Sequence, residues 1–171
     1  FRSHGITRDT SLMTRNEGPW FYQQLDLGYN YRMTDIQCAL GCSQMKKLDY
    51  FLARRRTIVA RYNEAFADCR NIVTPYQMPD TNSGWHLYII QVKNRDRKEV
   101  FERLRERGIG VNVHYIPVYE HPYYQEHGYK GVHCPVAEEV YSHIISLPVF
   151  PRLTEEQQEE VIRVVKQEVE E

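Results

Sequence analysis

Between Thr34 and Ala67 the apolar residues Ile36, Leu40, Leu48, Leu52, Val59, Tyr62 and Phe66 recur near helical spacing, the signature of a helix with one buried stripe. Thr34 followed by Gln37 fits a capping box, in which each side chain satisfies the other residue's free N–H at the helix start. The spacing predicts one helix of about 30 residues, roughly 45 Å long at the usual rise. Such a rod outruns a small domain. It predicts two bodies joined by a linking helix at 34–68, with interface loops over 1–33 and a small domain over 69–171.

The 171 residues are 42% hydrophobic and 26% charged, which suits a globular protein with one ordinary core and excludes a disordered chain. A net charge of -1 provides no field for a nucleic acid backbone, so any anionic ligand has to be met locally. The four cysteines form no Cys-x-x-Cys pair and are read as reduced, in a cytoplasmic setting. Cys38 and Cys42, one helical turn apart, read as small buried core residues rather than a metal pair. No apolar run approaches the roughly 18 residues of a membrane span. The chain opens on Phe1 and enters loop-like sequence at once, so it is expected to be cut from something longer. On that reading, the lack of a leader carries little information.

Residues 1–33 show no sustained period and contain the breaker Gly18-Pro19. After a turn-rich connector at 75–84, Trp85 to Val92 reads as a strand. Asp96 with Glu99 caps a helix that buries Val100, Phe101 and Leu104 and stops at Gly108. Gly110 to Ile116 alternates as a second strand, Pro117 to Pro135 is a long loop, a short helix starts at Ala137, and Ile144 to Val149 is a third strand. Thr154 with Gln157 opens a last helix whose inner face carries Val161, Ile162, Val165 and Val169. The order β-α-β-loop-α-β-α predicts an α/β fold class, specifically an α+β small domain with a helix-covered sheet.

Three clusters are candidates for chemistry. The long loop holds His121, His127, His133 and Cys134, which are metal-ligand types, but their gaps match no tight zinc pair; a metal-binding domain stays open as an alternative to solvated histidines, with no metal expected. "VNVHY" sets Asn112, Val113, His114 and Tyr115 where a strand feeds a loop, a common place for ligand contacts, though His114 also fits a purely structural role. "GYNYR" puts Asn30 and Arg32 just ahead of a helix N-terminus, whose free N–H groups and positive end favour an anion such as phosphate. Equally, Asn30 fits a turn and Arg32 a surface pair. No Gly-rich phosphate loop, Ser-His-Asp order or nucleophile elbow is present.

"FRSHGITRD", "LGYNYRMTDIQCALG", "GIGVNVHYIPVY" and "LPVFPRLTEEQ", in that order over nearly the whole chain, resemble the C-terminal half of DegT/DnrJ-type sugar-nucleotide aminotransferases. Within that family the likeness is to the pseudaminic acid branch. The resemblance implies the C-terminal portion of an aspartate-aminotransferase-like fold, the cofactor pyridoxal 5'-phosphate (PLP), and a homodimer whose active sites are shared between subunits. Glutamate would donate the amino group, and the 4-keto carbon of a UDP-linked 6-deoxy-N-acetyl hexose would receive it. It further implies that Asn30 reaches the partner's cofactor phosphate or ligand, that Arg32 neighbours ligand charge, and that Asn112, Val113, His114 and Tyr115 line the sugar-nucleotide site.

One family feature has no counterpart here. The Schiff-base lysine lies upstream of the segment resembling Phe1, and none of Lys46, Lys47, Lys93, Lys98, Lys130 and Lys166 matches its motif. The chain alone is therefore expected to be inactive. A non-catalytic dimerisation or binding module is the rival reading.

Overall fold

The computed structural model describes residues 1–170. Two compact units divide between Lys47 and Leu48, inside the segment expected to be one linking helix. That helix is in fact two, α1 (Asp35–Met45) and α2 (Leu48–Phe66). At the end of α1 the Lys47 N–H donates to Gln44 at 2.9 Å, the i−3 bond that tightens a last turn and closes a helix. Apolar spacing could not report the break, because the residues on either side keep their own i, i+4 steps.

In the first unit, residues 1–7 run antiparallel to 23–31. Strand β1 (Ile6–Thr7) pairs with β2 (Gln23–Gln24), and an isolated bridge joins Ser3 to Asn30. Backbone bonds from His4 to Tyr29, Tyr29 to Phe1 and Tyr31 to Arg2 lie at 2.8–2.9 Å. Two glycines permit this approach. A side chain at Gly28 would meet backbone atoms of Gly5, His4 and Phe1 at 2.2–2.6 Å, and one at Gly5 would lie 2.0 Å from the Asp26 carbonyl. The Thr34–Gln37 capping box is present in both directions. No residue of this unit is buried.

The second unit has the core. A three-stranded antiparallel sheet runs β3 (Ile72–Val73), β4 (Tyr88–Val92), β5 (Ile144–Leu147), with β4 central. Period-two alternation turns Tyr88, Ile90 and Val92 of β4, with Ile145 and Leu147 of β5, toward one face. There they join Ile58, Val59, Tyr62 and Phe66 of α2, Val100 and Leu104 of α3 (Arg97–Glu106), and Val161, Ile162, Val164, Val165 and Val169 of α6 (Glu155–Glu170). Tyr62, fully buried, stacks on Tyr88 at 4.9 Å and on Phe66 at 5.9 Å, and its hydroxyl donates to the Pro148 carbonyl at 2.9 Å. Burial pushes both the Tyr62 and the Tyr88 phenols well above the ordinary range.

Several expectations need correction. Val59, Tyr62 and Phe66 are buried, but Ile36, Leu40 and Leu48 are exposed. The Asp96 cap holds the Glu99 N–H at 2.9 Å, whereas the Glu99 carboxylate pairs with Arg103 instead of returning to the cap. The strand expected over 110–116 is a single bridge from Asn112 to Ser146; the Asn112 side chain turns back onto the Val113 N–H at 2.8 Å, and Pro117 has no N–H to extend a ladder. The strand at 85–92 starts at Tyr88, since Trp85 takes a positive φ of 47°, outside the β region. Strand β3, only two residues long, left no readable alternation. The loop after Pro117 holds short helical turns at Val118–Glu120, α4 (Pro122–Tyr124) and Gln125–Tyr129, and α5 (Pro135–His143) begins at a proline, whose fixed φ suits a first helical turn.

Candidate functional site

Tyr29 and Tyr31 sit two residues apart on an extended segment, hence on one side of it, and their rings stack at 5.0 Å and 14°. By the same alternation Asn30 and Arg32 fall on the other side. Both are exposed, and the Asn30 side chain makes no hydrogen bond among the described residues. Its backbone is fixed by the bridge to Ser3, so the amide is presented by a tied ribbon rather than a free loop. The α1 N-terminus contributes less to an anion than its sequence suggests. The capping box occupies the Gln37 N–H at 3.3 Å, and Asp35 brings a negative charge to the first turn, which already opposes the helix dipole. The donors left for an anion are Asn30 and Arg32.

In the second unit, Asn112, His114 and Ser146 form one constellation. Asn112 and Ser146 exchange backbone hydrogen bonds at 3.3 and 2.7 Å. The His114 Nδ1 lies 2.8 Å from the Ser146 Oγ, and the His114 and Tyr115 rings meet edge to face at 4.6 Å. Asn112 and Tyr115 are exposed, while Val113 and His114 are half-buried. Sequence reasoning missed Ser146. The available signal was one hydroxyl in an otherwise apolar strand, "IISL", all four residues of which are buried.

Among the described residues no three His, Cys, Asp or Glu side chains, those of the histidine loop included, are grouped to hold an ion. His127 Nδ1 lies 2.7 Å from the Tyr123 carbonyl and its ring stacks on Tyr123 at 4.2 Å. His133 and Cys134 flank Glu138 instead. The Glu138 carboxylate accepts from the Cys134 N–H at 2.8 Å and from the Tyr119 hydroxyl at 3.0 Å. Those two bonds lower its pKa, the backbone N–H foremost. Partial burial, with this bond behind it, pushes Tyr119 up to about 12. A carboxylate depressed by folding stabilises the fold above its unfolded pKa, and that contribution is lost as pH falls through the folded value. The 119–138 loop should therefore open below the ordinary carboxylate value of 4.5. In Glu138→Gln the acid-dependent step should disappear, as read from amide exchange across the loop at pH 3 to 6. Cys38 and Cys42, expected in a core, are exposed, and all four cysteines are free thiols.

The DegT/DnrJ/EryC1/StrS aminotransferase profile matches residues 1–166. The chain belongs to that family. Among similar members, the UDP-4-amino-4,6-dideoxy-N-acetyl-beta-L-altrosamine transaminase of Campylobacter jejuni is 38% identical over 73% of this chain and 32% of its own length. The solved structure of Helicobacter pylori PseC, an aminotransferase of pseudoaminic acid biosynthesis, superposes with a TM-score of 0.84 at 29% identity, covering 99% of this chain and 44% of that one. Spr1654 of Streptococcus pneumoniae, a candidate sugar aminotransferase solved in its PMP form, gives 0.83 at 30% identity over 98% of this chain and 41% of that one. The expected fold, a C-terminal portion of an aminotransferase, is thus what the chain has. It spans less than half the length of these DegT/DnrJ relatives. No helix among the described residues is long and apolar enough to cross a membrane.

Proposed function

We propose that the chain is the C-terminal part of a PLP-dependent aminotransferase that moves the amino group of glutamate to the 4-keto carbon of a UDP-linked 6-deoxy-N-acetyl hexose. The observation that carries this reading is the family match along residues 1–166, and the two donor groups fit it. A phosphate suits Asn30 and Arg32, one neutral donor and one guanidinium on a tied ribbon. The cofactor, when bound, supplies the electron sink that amino transfer requires. This chain's share is to hold the cofactor phosphate through Asn30 and Arg32, and to bind the nucleotide sugar through Asn112, Val113, His114 and Tyr115. No lysine lies between Phe1 and Met45, while Lys93 and Lys98 are paired with Glu139 and Glu102. The Schiff-base lysine belongs to the remainder of the enzyme, and the chain alone is inactive.

A homodimer with shared sites, in the cytoplasm, completes the proposal. In its support, Leu27 is 90% exposed and Ile36 84%, large apolar side chains left for a partner to cover. The rival reading, a non-catalytic binding module, is separated by one assay. The complete enzyme, given PLP, glutamate and a UDP-4-keto-6-deoxy-N-acetyl hexose, should release 2-oxoglutarate and the 4-amino sugar; failure with every UDP-4-keto sugar tried overturns the reading. Asn30→Ala in that enzyme should weaken PLP retention by about 1–3 kcal/mol, the usual loss of a donor to a charged group. Cofactor absorbance after dialysis measures it. Full retention would reduce Asn30 to a turn residue.

A further inference from the structure

Among the described residues Ser146 is one of two buried polar side chains, at 4% exposure, in a unit whose core is otherwise apolar. Its hydroxyl proton needs an acceptor, because an unpaired buried donor is costly. Among the described residues the Oγ has one partner, the Nδ1 of His114 at 2.8 Å. From this we infer that Ser146 is a positioning residue: its hydroxyl donates to Nδ1, fixing His114 as the neutral tautomer with the proton on Nε2 and presenting that N–H to an oxygen of the ligand. The assignment of the ligand as a nucleotide sugar rests on the function proposed above; the Ser146–His114 link does not.

The strand makes the arrangement rigid. The backbone of Ser146 pairs with Ile89 of β4 on one side and with Asn112 on the other, so one residue sets both the backbone two positions before the ring and the ring itself. A neutral imidazole with Nδ1 accepting has only Nε2–H left to offer. That donor suits a diphosphate, hydroxyl or carbonyl oxygen and does not suit a cationic group. Ile145 and Leu147, the neighbours of Ser146 along β5, belong to the apolar core on the opposite face, which leaves the hydroxyl directed away from it.

The test uses nitrogen NMR of the complete enzyme with labelled histidines, at a pH where histidines are neutral, with UDP as probe. Long-range proton–nitrogen correlations in the wild-type enzyme should show His114 with an unprotonated Nδ1 and a protonated Nε2, and added UDP should move the Nε2–H signal. In Ser146→Ala the Nδ1–H form should gain population and UDP affinity should fall about fivefold to tenfold, the loss expected when one hydrogen-bonding group loses its orientation. Ser146→Thr, which keeps the hydroxyl, should restore both. A protonated Nδ1 in the wild-type enzyme overturns the inference and needs no variant. So does a Ser146→Ala enzyme with wild-type tautomer and affinity. If the tautomer follows Ser146 while UDP leaves the His114 signals unmoved, the positioning role stands and the nucleotide-sugar reading falls.

Discussion

Tyr62→Ala is expected to destabilise the second unit by about 4 kcal/mol, the range for removing a fully buried aromatic ring and leaving a cavity. Tyr62 joins α2 to the sheet layer at two points, the stack on Tyr88 of β4 and the hydroxyl on the Pro148 carbonyl just after β5, and it stacks on Phe66 within α2 itself. Tyr62→Phe keeps the rings and loses only the hydroxyl bond, so it should cost about 1 kcal/mol and leave the Pro148 carbonyl in search of a donor. Urea unfolding followed by far-ultraviolet circular dichroism separates the two. Near-equal losses for Phe and Ala would mean that the hydroxyl, not the ring stack, holds α2 in place.

Gly28→Ala should have the second large effect, on the ribbon rather than the core. The added carbon would meet three backbone atoms at 2.2–2.6 Å, and backbone has no rotamer by which to yield. Overpacking of this kind costs about 3 kcal/mol. The expected response is separation of residues 1–6 from 26–31, with loss of the Ser3–Asn30 bridge and of the Asn30 placement. Amide exchange at Tyr29 and Tyr31, whose N–H groups donate to Phe1 and Arg2, should rise steeply while the second unit stays protected. Unchanged protection there would mean that the ribbon has another way to close.

What the sequence disclosed, it disclosed where local chemistry and packing agree. The Thr34–Gln37 and Thr154–Gln157 boxes close as their letters predict, because a cap is a contact between residues three apart and needs no tertiary partner. The inner face of α6 is buried as its period indicates. Period-based reading failed where backbone pairing decides the outcome. Residues 110–116 have the composition of a strand, but only Asn112 finds a partner, and a pairing is a property of two segments. The break at Lys46 and Lys47 escaped for the opposite reason, since both helices keep the same spacing on either side of it.

Of the candidate site, the residue types at 30, 32 and 112–115 were legible; the roles proposed for them rest on likeness, not on physics. Ser146 was missed although its hydroxyl stands out in an apolar strand, because its contact with His114 spans 32 positions of the chain and no local pattern announces that contact. The buried reading of Cys38 and Cys42 failed because helical spacing gives a shared face without saying what that face meets.

A thermal melt will be almost blind to the first unit. Leu27 and Ile36 bury so little within the chain that changing either to glutamine should leave the melting temperature where it was, since area never removed from water contributes nothing to folding. A screen that ranks variants by heat resistance alone would therefore class these positions as expendable and pass over whatever they exist to touch.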